Sequence, residues 1–201
     1  MSRIALLCFV LSCFFLSSDV FGQSVRFRLD ATNTSGDVVE TVGVGDTFFL
    51  NAYTEDLGPD PGGVFAAYLD VLIEPTIASV IGPVEPGIQY QNGASDGEVS
   101  AGLLNNFGGF ASVVDPFGAG ELLVFSQEMQ ADALGEIEFT SAFANESPMF
   151  DVLRFGVNEA VLAADIEFGS LTLQVAEVPE PSGGMLFCLG GVAMMLSRRR
   201  R

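Results

Sequence analysis

Any chemistry in this chain has to be built from carboxylates. Its 201 residues hold 26 Asp and Glu against eight basic residues, and there is no His. All eight basic residues are arginine, so there is no Lys either. Cys8, Cys13 and Cys188 are the three cysteines and sit towards the chain ends. A Ser-His-Asp triad, a Cys-His pair, a Schiff-base lysine and a zinc site of the usual ligands therefore cannot be assembled. Two carboxylate groupings remain. Glu136 and Glu138 are two apart in an alternating stretch and share one face. A glycosidase needs such a pair about 5–10 Å apart across a sugar. Solvated residues opposite inward Ile137 and Phe139 have the same spacing. Glu55, Asp56 and Asp60 crowd a Gly/Pro loop, and calcium is the cofactor that such hard oxygen donors would suit. Their spacing is not that of an EF-hand, and a polar loop between two strands reads the same way. Asp96, Glu98 and Asp115 form a similar, sparser set. There is no Trp for sugar stacking, leaving Tyr53, Tyr68 and Tyr90 besides phenylalanine. The expectation is a non-enzyme.

The elements that must position these residues read as strands. Val25, Phe27 and Leu29 alternate with Arg26 and Arg28 over 24–30. Residues 38–44 and 47–54 give two more strands, followed by a loop over 55–63. Residues 64–73 are apolar on both faces, as the central strand of a sandwich would be, and Glu74-Pro75 ends it. Shorter strands are expected at 77–81, 88–91 and 97–104. The Gly/Phe-rich stretch 105–119 reads as loop, with a weak strand at 111–114. Residues 121–131 and 136–143 are strands, 151–155 and 158–163 short edges, and 165–175 a last strand with a bulge or kink at Gly169. No window of a dozen residues has a helical period. Many short strands at this spacing predict an all-β fold, an antiparallel β-sandwich of jelly-roll or similar type.

The two ends read differently. Arg3, the apolar stretch Ile4 to Leu16 and Val20-Phe21-Gly22 have the layout of a secretory signal peptide, with cleavage between Gly22 and Gln23. Val10-Leu11-Ser12-Cys13 is loosely like a lipoprotein signal, although the apolar run continues past the cysteine. At the other end, Pro179-Glu180-Pro181 is followed by an apolar run from Gly183 to Leu196 and by Arg198, Arg199, Arg200 and Arg201. As a helix those 14 residues reach roughly 21 Å at about 1.5 Å each. That is short of the ~30 Å hydrocarbon core, which suits a temporary membrane anchor. The arginines should stay cytoplasmic, with the body across the membrane from them. The order of motif, apolar helix and basic terminus resembles a PEP-CTERM sorting signal. The resemblance implies a membrane transpeptidase of the exosortase type as partner, removal of the tail near the motif, and delivery to the cell surface, the extracellular matrix or the medium. A plain C-terminal anchor is the other reading.

The expected organisation is thus a leader (1–22), a sandwich domain (23–175), a linker with the motif (176–182) and a tail (183–201). Between leader and tail the body holds 24 acids against Arg26, Arg28 and Arg154, a formal charge of −21. Such a surface repels nucleic acid and attracts cations and basic partners. No cysteine remains in the body, so packing or bound ions must stabilise it. Gly45-Asp46-Thr47-Phe48, Gly63 to Asp70 and Ile166 to Leu171 resemble a cohesin-like or carbohydrate-binding-like sandwich. That resemblance implies a module that binds a dockerin-like partner or a polysaccharide, against the first expectation of a structural or adhesion module of the surface or matrix. A carboxylate-dependent hydrolase using Glu136 and Glu138 is the third reading.

Overall fold

The computed structural model describes residues 24–177, apart from 75, 96, 101, 112–117, 119, 145–151 and 158. The expected leader and its cleavage point at Gly22 and Gln23 lie outside the described residues, as do Pro179, Glu180, Pro181 and the tail with its arginines. The described chain forms thirteen strands: β1 Val25–Thr32, β2 Thr41–Gly43, β3 Thr47–Asp56, β4 Val64–Glu74, β5 Ala78–Pro86, β6 Asn92–Ser95, β7 Glu98–Ser100, β8 Leu103–Phe110, β9 Leu122–Ala131, β10 Gly135–Phe143, β11 Leu153–Arg154, β12 Ile166–Phe168 and β13 Ser170–Ala176. A 3₁₀ turn at Ala163–Asp165 precedes β12. Among the described residues no helix is long and apolar enough to cross a membrane.

The strands make two sheets. One has the order β12-β1-β3-β9-β5; the other runs β2-β13-β10-β4-β8-β6, with β11 beside β4 and β7 beside β8. In the stack β3 lies over β4, β9 over β8, and β1 over β10 and β13. The protein is a β-sandwich. Period-two alternation sorts its side chains. Phe27, Phe48, Leu50 and Met129 point inward from the first sheet, and Leu69, Phe107, Ile137, Phe139 and Leu173 from the second. All are at most 1% exposed. Burying each such side chain stabilises the fold by about 1.5–3 kcal/mol. Phe107 and Phe125 meet across the gap with ring centres 5.3 Å apart, and Phe48 meets Phe139 edge-on.

Several regions differ from the sequence expectation, among them 97–104, which is not one strand but β7 and the start of β8 paired with each other. Residues 88–91 are not a strand; Gly87 to Tyr90 closes a turn through Tyr90 N–H to Gly87 O at 2.9 Å, and β5 instead continues to Pro86. The stretch expected as loop from 105 is the larger part of β8. Its glycines are there because the backbones touch. A Cβ on Gly108 (φ +151°) would stand 2.0 Å from Ala67 O, and one on Gly109 would stand 2.1 Å from Tyr90 O. Nor are β12 and β13 one bent strand. At Gly169 the chain leaves the first sheet, where β12 pairs parallel with β1, and enters the second, where β13 pairs with β10 and, in parallel, with β2. A side chain at Gly169 would meet Phe27 O at 2.7 Å. Its carbonyl accepts from both Ser141 N–H (3.0 Å) and Ser141 Oγ–H (2.8 Å), fixing the crossing. Among the described residues these two parallel pairs are the exceptions in an otherwise antiparallel sandwich. Of the second expected strand, only Thr41–Gly43 is regular, with Val38 bridged to Thr32.

Candidate functional site

The nominated calcium ligands do not form one group. Glu55 and Asp56 are consecutive on β3, so they face opposite sides of the sheet. Asp56 is 3% exposed and points inward. Its Oδ1 accepts from Gly58 N–H (3.0 Å) and Arg154 Nε (2.8 Å), and its Oδ2 from Gly62 and Gly63 N–H (3.1 Å each). This carboxylate organises the 57–63 loop from beneath and is occupied in doing so. Glu55 lies on the outer face, 3.3 Å from Arg26. Asp60 stands exposed at the loop tip. Among the described residues no three Asp, Glu, His or Cys converge as a metal site. Glu98 is exposed on β7, and Asp96 and Asp115 lie outside the described residues.

Glu136 and Glu138 do share the outer face of β10. Glu136 accepts from Gln174 Nε2 on β13. Glu138 sits directly opposite Glu74 on one side and Thr172 on the other. Glu138 and Glu74, with Leu72 and Thr140, line a shallow depression of about 150 Å³ that Glu136 does not reach. Like charges set opposite each other on adjacent strands disfavour pairing, and no arginine ion pair is made there among the described residues.

Sequence reasoning missed the most ordered polar surface, the outer face of the five-stranded sheet. Strand register assembles it. Arg26 lies opposite Glu55 on β3 and Glu167 on β12, Arg28 opposite Tyr53, and Asp30 opposite Asn51, which lies opposite Ser126 on β9. Arg26 Nε donates to Glu167 at 3.0 Å. Arg28 holds Glu121 with two N–H groups, at 2.6 and 2.9 Å, and gives a third to Asp30 at 2.8 Å. Its guanidinium carbon also stands 4.3 Å over the Tyr53 ring. Asn51 Nδ2 donates to Asp30 (2.9 Å) and to Thr32 Oγ1 (3.1 Å), while Ser126 Oγ–H donates to Asn51 Oδ1 (2.7 Å). The Glu121 hydrogen bonds push the Arg28 pKa well above its ordinary value, and those of Glu167 raise that of Arg26. Burial raises the Tyr53 phenol, and the nearby Asp30 charge adds to it. Both arginines thus stay charged, aimed and about 40% exposed. The signal was available as Arg26-x-Arg28-x-Asp30 on one strand and Asn51-x-Tyr53-x-Glu55 on the next, but only the register shows that they meet. The two guanidiniums are already paired with four carboxylates, so what the face offers a ligand is the half-exposed flat side of Arg28, on which a planar group can stack.

No known protein-family model matches the chain, and no curated protein does. Solved structures of similar shape include a type I cohesin–dockerin complex from Clostridium thermocellum, at 14% identity and a TM-score of 0.47, covering 76% of this chain and 94% of that one. A cohesin module from a Clostridium perfringens family 33 glycoside hydrolase has 12% identity and a TM-score of 0.45, covering 75% and 98%. The bacterial hydrophobin BslA has 11% identity and a TM-score of 0.36, covering 77% and 100%. These scores lie below 0.5, so the β-sandwich stands on its own sheet order and register.

Proposed function

We propose that the protein is an exported, non-enzymatic β-sandwich that serves as a structural or adhesion module at the cell surface or in the extracellular matrix. In this reading the PEP-CTERM tail delivers it, an exosortase-type transpeptidase removes that tail, and the outer face of the five-stranded sheet meets the partner. The observation that carries the binding part is the pair Arg26 and Arg28, about 40% exposed and held by Tyr53 and by the buried Asp30 and Asn51 beside them. It is locked by register and side-chain hydrogen bonds on rigid strands, which lowers the ordering cost of association. Intact mass of protein recovered from the native envelope and medium tests delivery. The expected product runs from Gln23 to between Pro179 and Ser182. A membrane-bound chain that keeps Arg198 to Arg201 would leave a plain anchor instead.

The alternative is a module for polysaccharide or for a dockerin-like protein. A flat sheet face with two half-exposed guanidiniums is what a polysaccharide would meet in this reading. Glycan-array and pull-down measurements on wild type and an Arg26→Ala, Arg28→Ala variant separate the readings. Capture of a protein lost in the variant supports a protein-binding face, of an adhesion module or of one for a dockerin-like partner, which identification of the captured protein tells apart. Glycan binding lost in the variant supports the alternative. Binding that the variant keeps would remove this face from both.

A further inference from the structure

Among the described residues, one flank of the sandwich is open at β5. β5 ends the five-stranded sheet and pairs with β9 alone among the described residues. β7 lies at the margin of the other sheet, against β8. Because β9 lies over β8, these margins face each other. Between them is a cleft of about 430 Å³, with Ile73 at its floor, Val80 and Val99 on its walls and Asp132 at its rim. Its remaining lining side chains are small.

The backbone of β5 is turned into this cleft. Ala131 gives its N–H to Asp46 (3.0 Å) and its C=O to Gly45 (2.7 Å), both on the flank away from β5. The Ala78–Ala131 pair is therefore a non-hydrogen-bonded one, so Ala78 and, two residues on, Val80 direct their N–H and C=O groups to the open edge. Further along, the edge is closed to pairing. The ladder is interrupted between Val80 and Val84, and Pro83 and Pro86 have no N–H to offer. The segment left without proline coincides with the cleft.

We infer that this cleft is a strand-addition site for an extended peptide of another protein. The peptide pairs with Ala78–Val80 and sets alternate side chains against Val80, Val99 and Ile73. It carries Lys or Arg, because Asp132 is the only charged residue lining the cleft among the described residues. A second copy of this chain is a poor occupant, since bodies of formal charge −21 repel one another. The site adds a binding mode to the function proposed above and depends on neither the tail nor the arginine face.

The probe is an acetylated, amidated peptide, Val-Lys-Val-Thr-Val-Lys, titrated into the purified protein and read by amide hydrogen exchange. Exchange at Ala78 and Val80 is expected to slow by about ten-fold or more, corresponding to about 1.4 kcal/mol. The amides of Arg26 and Arg28 should be unchanged, which separates this site from the sheet face. A peptide N-methylated at alternate residues should give no protection, and Ala78→Pro should abolish it without lowering the melting temperature. Should that variant fail to fold, the N-methylated peptide still decides. The inference falls if the peptide at millimolar concentration slows neither amide, or if the N-methylated form protects equally. It also falls if a glutamate-for-lysine peptide binds as well, or if protection appears with protein concentration alone, which would mean a second copy in the cleft.

Discussion

Asp56→Ala should be among the most damaging single substitutions in the body, although the residue lies beside an exposed loop. It would remove one carboxylate and strand three backbone N–H groups and the Arg154 guanidinium, whose side chain is 19% exposed. Hydrogen bonds to a charged group contribute about 1.5–3 kcal/mol each, but they share one anchor and cannot be summed. Removing one partner of a buried ion pair costs about 3–5 kcal/mol, a large part of the about 5–15 kcal/mol that holds a domain together. For a domain of this size that lowers the melting temperature by roughly 6–20 °C. Arg154→Met keeps the three backbone donors on Asp56 and should cost less. Thermal and urea unfolding of the two variants, with and without calcium, is the assay. An Asp56→Ala loss under about 1 kcal/mol would refute the account of the loop. So would calcium stabilisation of wild type that disappears in Asp56→Ala, because Asp56 would then be a metal ligand after all.

Three further outcomes are expected. Gly108→Ala should fold poorly or cost more than about 4 kcal/mol, since its Cβ would overlap Ala67 O at a positive φ; a soluble variant with an unshifted melt would contradict the β4–β8 approach. Thr54→Val should stabilise by about 1 kcal/mol, read by urea unfolding, because Thr54 Oγ1 is buried without a hydrogen-bond partner. Burial raises the Tyr90 pKa in the folded state, so its contribution is complete below the unfolded value of about 10 and is lost as pH rises above it. Alkaline unfolding should therefore steepen by up to about 1.4 kcal/mol per pH unit for this group, and Tyr90→Phe should flatten that loss even though it gives up the 2.8 Å hydrogen bond to Val64 O.

The fold class was legible wherever one face of a strand is wet. β1, β3, β9 and β10 alternate in sequence because they alternate in space, and their limits come out within a residue or two. β8 was not legible. Leu103 to Phe110 carries two asparagines and two glycines, poor strand formers by composition. Asn106 adopts φ 58°, with its N–H held by the Asp70 carboxylate at 2.8 Å, and the glycines buy close backbone approach. Long-range geometry overrides local preference there. The kink at Gly169 was visible, but its meaning was not, because a bulge and a change of sheet look alike along one dimension. Carboxylates misled for a related reason. Sequence neighbours such as Glu55 and Asp56 part company across a sheet, whereas Arg28 and Glu121, 93 residues apart, join.

The crossing at Gly169 also sets how the molecule would bear a load. Val25 starts beside Ile166, and from Ile166 the chain runs ten residues onward in the direction of β1 to Ala176. At about 3.3 Å per residue, the two ends of the body leave it roughly 30 Å apart and at opposite poles. Tension applied between them would pull β1 and β13 lengthwise against their neighbours. The bonds of each ladder would then strain together in shear instead of opening one at a time, so the body is wired as a link in series between whatever is attached at its two ends.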